Sequence, residues 1–141
     1  MSKIPLRIRQ AVAERAAKRC EYCQLPVSGQ VATFPIDHVV PESQSGPTAM
    51  NNLALACPHC NSFKWACERD IDPLTGQVAA LFNPRSQNWS DHFQWSRRNL
   101  IRLEGKTPCG RATVERLQIN APTMLEARRI LRLAGVKVGG R

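Results

Sequence analysis

The tightest constraint on this chain is a doubled Cys-x-x-Cys. Cys20-Glu21-Tyr22-Cys23 and Cys57-Pro58-His59-Cys60 put four thiols into two short turns. One such turn presents two thiolates to a metal, and two turns complete a tetrahedral shell that suits Zn²⁺. A shell of four thiolates has no open position, so the ion would be structural, contributing on the order of 10 kcal/mol to folding. An iron–sulfur cluster also takes four thiolates, and paired cysteines form disulfides in an oxidising compartment. A thioredoxin-like redox pair needs only one Cys-x-x-Cys, in a βαβ setting that is not found. His59, inside the second turn, reads as an exposed turn residue rather than a ligand. Cys67 and Cys109 lack partners at ligand spacing and read as small apolar residues.

A chain of 141 residues with 43% hydrophobic residues suits one compact domain over residues 1–141. No apolar run approaches the ~20 residues that span a bilayer, and Met1-Ser2-Lys3-Ile4-Pro5 has no apolar signal core. The expectation is a soluble, cytoplasmic protein without a membrane partner. The formal net charge is +9. Residues 101–141 carry 9 Lys and Arg against 3 Asp and Glu, so most of the excess is C-terminal. A small protein this basic meets a polyanion, with nucleic acid the leading candidate.

Periodicity supplies the elements. Ile8, Val12 and Ala16 share one face of a helix expected over residues 5–19, with Pro5 in its first turn. Residues 25–30 read as a loop. Residues 33–40 and 53–56 read as short strands and residues 61–68 as a short helix. Asp72-Pro73-Leu74-Thr75-Gly76 is a turn signal. Strands are expected over 78–82 and 91–95, the latter pairing with 100–103. Helices are expected over 110–118 and 122–134. The fold class is α+β: a small metal-stapled ββα core over about 20–68, an N-terminal helix, and a strand-and-helix extension over about 72–138.

Between the two cysteine turns lies an ordered set of polar groups: Asp37-His38 after a strand-like run, then Asn52, then Asn61 after the last cysteine, then Lys64. Asp37 and Asn61 offer hard oxygen ligands suited to Mg²⁺ or Mn²⁺, leaving room for water and a phosphate oxygen. His38 is placed to take a proton from the attacking water, since imidazole titrates near neutral pH. This set suits phosphodiester hydrolysis. Adjacent strand residues point to opposite faces, so Asp37 and His38 share a site only if the strand ends or bends there; the loop beginning at Pro41 allows it.

Cys20-Glu21-Tyr22-Cys23, Ile36-Asp37-His38-Val39-Val40-Pro41, Asn51-Asn52-Leu53 and Cys57-Pro58-His59-Cys60-Asn61-Ser62-Phe63-Lys64 together resemble the HNH endonucleases, also called His-Me finger or ββα-metal nucleases. The resemblance covers about residues 20–65. It implies a DNA endonuclease with His38 as general base, Asp37 and Asn61 as ligands of the catalytic Mg²⁺ or Mn²⁺, and Asn52 ordering the loop that positions His38. Cys20, Cys23, Cys57 and Cys60 match the zinc-binding members. The family's final His is here Asn61, a variant that also occurs in the HNH domain of RNA-guided nucleases, and it points to a hard metal. Cleavage would leave a 3′-hydroxyl and a 5′-phosphate. Leu81-Phe82-Asn83-Pro84-Arg85 and Gly110-Arg111-Ala112-Thr113 resemble, less specifically, a group of small stand-alone bacterial HNH proteins.

Lys64, Arg85, Arg128 and Arg129 are the candidate contacts to DNA phosphates. His92, Trp89 and Trp95 read as packed residues of a strand. Two rival readings remain. A zinc-dependent nucleic-acid-binding module keeps the cysteines and the basic tail, but does not need Asp37, His38, Asn52 and Asn61 together. A structural or redox zinc protein has no use for the basic excess. Nothing in the pattern favours a monomer over a homodimer.

Overall fold

The computed structural model describes residues 4–28 and 33–141. The expected loop at Gly29 and Gln30 lies outside them, as does the start of the chain. Helix α1 spans Leu6–Arg15. Strands β1 (Ile36–His38) and β2 (Leu53–Leu55) pair antiparallel, with Ile36 opposite Leu55, Asp37 opposite Ala54 and His38 opposite Leu53. Helix α2 (Pro58–Lys64) follows at once. β3 (Arg69–Ile71) pairs with β4 (Val78–Ala80). A short helix α3 (Trp89–His92) runs into β5 (Phe93–Trp95), which pairs with β6 (Leu103–Gly105). Helices α4 (Pro108–Arg116) and α5 (Pro122–Leu133) close the order. The architecture among the described residues is α+β, with small antiparallel hairpins rather than one continuous sheet.

Local chemistry sets several boundaries. α1 stops short of the expected residue 19 because Ala17 and Lys18 adopt positive φ (54° and 55°) and turn the chain toward Cys20. α2 starts three residues earlier than expected: Cys57 caps it through its sulfur, which accepts from the Cys60 N–H, and Pro58 occupies the first turn. The expected strand over 91–95 is half helical, as α3 takes Asp91 and His92. Strand β3 was not foreseen: three residues of mixed polarity carry no legible alternation. The Asp72 turn forms as expected; the Asp72 carboxylate accepts from the Leu74 N–H and the Thr75 hydroxyl, and Gly76 sits at φ 74°.

The core runs from Val12 through Tyr22, Leu25, Phe34, Leu53 and Leu55 to Phe82, Phe93, Leu103, Leu117 and Ile119, all buried. Tyr22 meets Phe82 edge-on with ring centroids 6.4 Å apart, so the ββα unit and the C-terminal extension share one interior. Trp89 belongs to this packing; its indole N–H donates to the Tyr22 carbonyl (2.8 Å). His92 is held by Thr107 and Gln87, as a packed residue should be.

The expectation that Arg128 tracks phosphates is corrected. Arg128 is fully buried. Its guanidinium donates to the carbonyls of Ile101 (2.8 Å) and Ile119 (2.7 Å) and lies over the Trp95 ring. It pins α5 to the β5–β6 hairpin. Its neighbour Arg129 is on the surface, forked onto Glu126 of the same helix. No helix among the described residues is long and apolar enough to cross a membrane.

Candidate active site and metal centre

The two cysteine turns are knuckles built by their own backbone. The Cys23 N–H points at Cys20 Sγ, and the Cys60 N–H at Cys57 Sγ, each at 3.4 Å. The first knuckle is closed by Cys20 N–H to Leu25 O and Gln24 N–H to Cys20 O. It docks on β2 through Glu21 N–H to Leu55 O, answered by Leu55 N–H to the Glu21 carboxylate. The four sulfurs are buried and lie within 4.8 Å of one another, with Cys23 and Cys57 3.7 Å apart. A tetrahedral zinc with bonds of about 2.3 Å sets its sulfurs about 3.8 Å apart, so the donor set fits that ion. The crowd of neighbouring thiols, and then burial, pushes the Cys60 thiol well above its ordinary range. A shared cation is what would let such a cluster ionise together.

Downstream of the first knuckle, β1 carries Asp37 and His38 to its end. The strand stops at His38 and the chain bends, so both residues border one cleft of about 260 Å³. Asn61 and Trp65 from the α2 side and Glu42 from the loop complete its walls. Asp37 and His38 thus share a site despite their alternation along the strand.

Asp37 is almost entirely buried. Its Oδ2 accepts from the Tyr22 hydroxyl (2.6 Å) and lies 3.0 Å from Lys64 Nζ. Burial pushes the Asp37 carboxyl up, while the Lys64 charge and the Tyr22 hydrogen bond pull it down. Burial, and then the Asp37 charge, holds the Tyr22 phenol well above its usual range, so it stays a donor. His38 is half-buried, with Nε2 2.8 Å from Thr48 Oγ1 and Nδ1 3.9 Å from the Glu42 carboxylate.

The loop from Val39 to Asn52 is braced from inside. Asn52 is buried; its Oδ1 accepts from the Val40 N–H (2.9 Å), and its Nδ2 donates to Val40 O (3.0 Å) and Pro47 O (2.9 Å). Gly46 makes this fold-back possible, because a Cβ there would fall 1.7 Å from Val40 O.

Lys64 and Arg85 do not present free cations to a phosphate. Lys64 is 1% exposed, donating to Val39 O (3.2 Å) and paired with Asp37. Arg85 is paired with Glu21 and donates to Leu53 O (3.2 Å), bracing the first knuckle against β2. The sequence offers both as phosphate contacts, whereas Lys64 pairs with the buried Asp37 and Arg85 with the half-buried Glu21.

Four residues of the site escaped sequence reasoning: Tyr22, Gly46, Thr48 and Trp65. Tyr22 had a legible signal, an aromatic residue between two metal-type cysteines. Thr48 had none, being one polar residue in a polar loop.

Residues 20–65 match the family model described as HNH endonuclease. The match runs from the first knuckle to the end of α2. No curated protein and no solved structure matches the chain.

Proposed function

We propose that the chain is a metal-dependent DNA endonuclease in which His38 activates water beside a divalent cation held by Asp37 and Asn61, while zinc on Cys20, Cys23, Cys57 and Cys60 staples the site together. The observation that carries this reading is one cleft bordered by Asp37, His38 and Asn61, set on the ββα unit that matches the HNH family.

The residues divide the work by chemistry. If the His38 Nε2–H donates to Thr48, the Nδ1 lone pair is the base that takes a proton from water. The resulting hydroxide attacks phosphorus, the P–O3′ bond breaks, and the leaving oxygen takes a proton from solvent. Mg²⁺ or Mn²⁺, when bound, supplies positive charge to the phosphate oxygens. Asn61 offers a neutral amide oxygen and Asp37 a carboxylate, a donor pair suited to a hard cation. Asn52 holds the 39–52 loop closed and so fixes where His38 points. Lys64 and Tyr22 orient the Asp37 carboxylate. Residues 20–68 then form the catalytic core and residues 72–138 an extension that packs on it within one domain.

The test is plasmid cleavage with Mg²⁺ or Mn²⁺, run with and without chelator beside His38→Ala. Loss of general-base catalysis is worth roughly 10²–10⁴ in rate, so His38→Ala should fall by at least about a hundredfold. It should keep its fold and its DNA affinity, because the base acts on the transition state rather than on binding. Cleavage by His38→Ala at the wild-type rate, in a preparation free of other nucleases, removes His38 from the chemistry.

A further inference from the structure

Trp65 borders the cleft, yet neither the fold nor the reaction accounts for it. Tryptophan is usually kept for the surface it buries, but this one is 77% exposed. Its backbone sits at φ 49°, ψ −127°, a region that glycine enters freely and bulky residues avoid. The conformation is fixed from both sides. The Trp65 N–H donates to the Asn61 carbonyl (3.0 Å), and the Cys67 N–H closes back onto Lys64 O (3.0 Å). A large apolar side chain and a glycine-type backbone are both unfavourable choices here, and both fall one helical turn after Asn61. Residues held in sparse backbone regions cluster at functional sites.

We propose that Trp65 is the platform on which a nucleobase beside the cleaved phosphate stacks, so that it registers the DNA strand over His38. This rests on the nuclease reading above. Once a phosphate enters the cleft with Asp37, His38 and Asn61, its own sugar and base extend past the rim. An indole in the wall of the same cleft offers that base a flat apolar face. The chain's net charge of +9 favours a polyanion over a neutral partner. Stacking needs only a π-face, so Trp65 contributes affinity and register with little sequence preference. In a duplex it acts as a wedge at the cleaved step.

The experiment uses the zinc-loaded full chain and three variants: Trp65→Phe, Trp65→Ala and Trp65→Gly. The chain has three tryptophans, so the contribution of Trp65 is read by difference. Titration with a short DNA duplex, without added Mg²⁺, should quench wild-type tryptophan emission, and Trp65→Phe should lose most of that quench. With Mg²⁺, Trp65→Ala should lose about tenfold in kcat/KM, the scale of one base–aromatic stack, mostly through KM, and Trp65→Phe should recover most of it. Trp65→Gly should lose activity as Trp65→Ala does while melting at or above the wild-type temperature, which separates loss of the platform from loss of the fold. A quench that survives in Trp65→Phe, or wild-type kcat/KM in Trp65→Ala, overturns the proposal. If the wild-type protein binds DNA without cutting it, the nuclease reading fails and the quench alone decides Trp65. If it binds no DNA, both fall.

Discussion

Side chains of one type take opposite roles here according to what surrounds them. Arg129 and Arg128 are consecutive on α5; the first faces water in an exposed pair with Glu126, and the second is sealed between two carbonyls and the Trp95 ring. An exposed pair of that kind is worth at most about 1 kcal/mol, so Arg129→Ala should leave the urea midpoint almost unchanged. Arg128→Met leaves the part-buried Ile101 carbonyl and the buried Ile119 carbonyl without their donor, a loss of roughly 2–4 kcal/mol for the two. Urea denaturation of the two variants side by side checks this; equal midpoints would mean that Arg128 is not the pin of α5. The same contrast explains why these residues were unreadable from sequence. The arginines of α5 fall in a strongly basic stretch, where a solvated or phosphate-facing guanidinium is the natural expectation. Only the tertiary fold reveals two carbonyls that need a donor. The meeting of the four cysteines, and of His38 and Asn61 on one cleft, was legible for the opposite reason: the pattern that suggests them rests on fixed residue types at fixed spacing.

Single strands of three residues are too short to hold a sheet by themselves, and each hairpin here is fastened by a side-chain clip. For β3–β4 the clip is Asp72. Its two oxygens take the Arg111 fork of α4, both at 2.9 Å, together with the turn's own Leu74 N–H and Thr75 hydroxyl. The Arg111 hydrogen bonds, and then those of the turn, hold the Asp72 carboxyl far below its ordinary value of 3.8, although burial acts the other way. A carboxyl whose folded value is depressed contributes stability that is fully present above the unfolded value and is lost as pH falls toward the folded one. The stability difference between wild type and Asp72→Asn should therefore be the same at neutral pH and at about pH 5, and should shrink only below about pH 4. Urea midpoints at neutral pH, about pH 5 and about pH 3 measure it; a difference that stays constant down to about pH 3 would show that Asp72 titrates at its ordinary value. The Asp72 turn was plain in the sequence because Asp, Pro and Gly each favour it locally. Its partner Arg111 and the strand β3 were not, because both depend on α4 packing against this hairpin, with Arg111 39 residues along the chain from Asp72.

Across the whole molecule, two segments 37 residues apart in sequence meet at the four sulfurs, and most of what positions the cleft hangs on that meeting. The first knuckle carries Tyr22, which holds Asp37, and Glu21, which docks on β2; the second opens α2, which carries Asn61, Lys64 and Trp65. β1 and β2 have only three residues each between them. Without a cation, four buried thiols with no charged partner remain at the centre of this arrangement. Structural zinc contributes roughly 10–16 kcal/mol in small zinc domains, comparable with the whole net stability of a domain this size. The purified protein should thus hold about one zinc per chain, with no visible absorption of the kind an iron–sulfur cluster gives. A strong chelator, or Cys57→Ala, should release the metal and abolish amide protection in the knuckles, β1, β2 and α2. Zn²⁺ should restore it and Mg²⁺ should not, because a hard oxygen-seeking cation does not replace zinc on four thiolates. Hydrogen exchange on the metal-free protein decides the matter: a chain that keeps cooperative protection across residues 53–64 after complete zinc removal would show that the hydrophobic interior, rather than the metal, holds the two knuckles together.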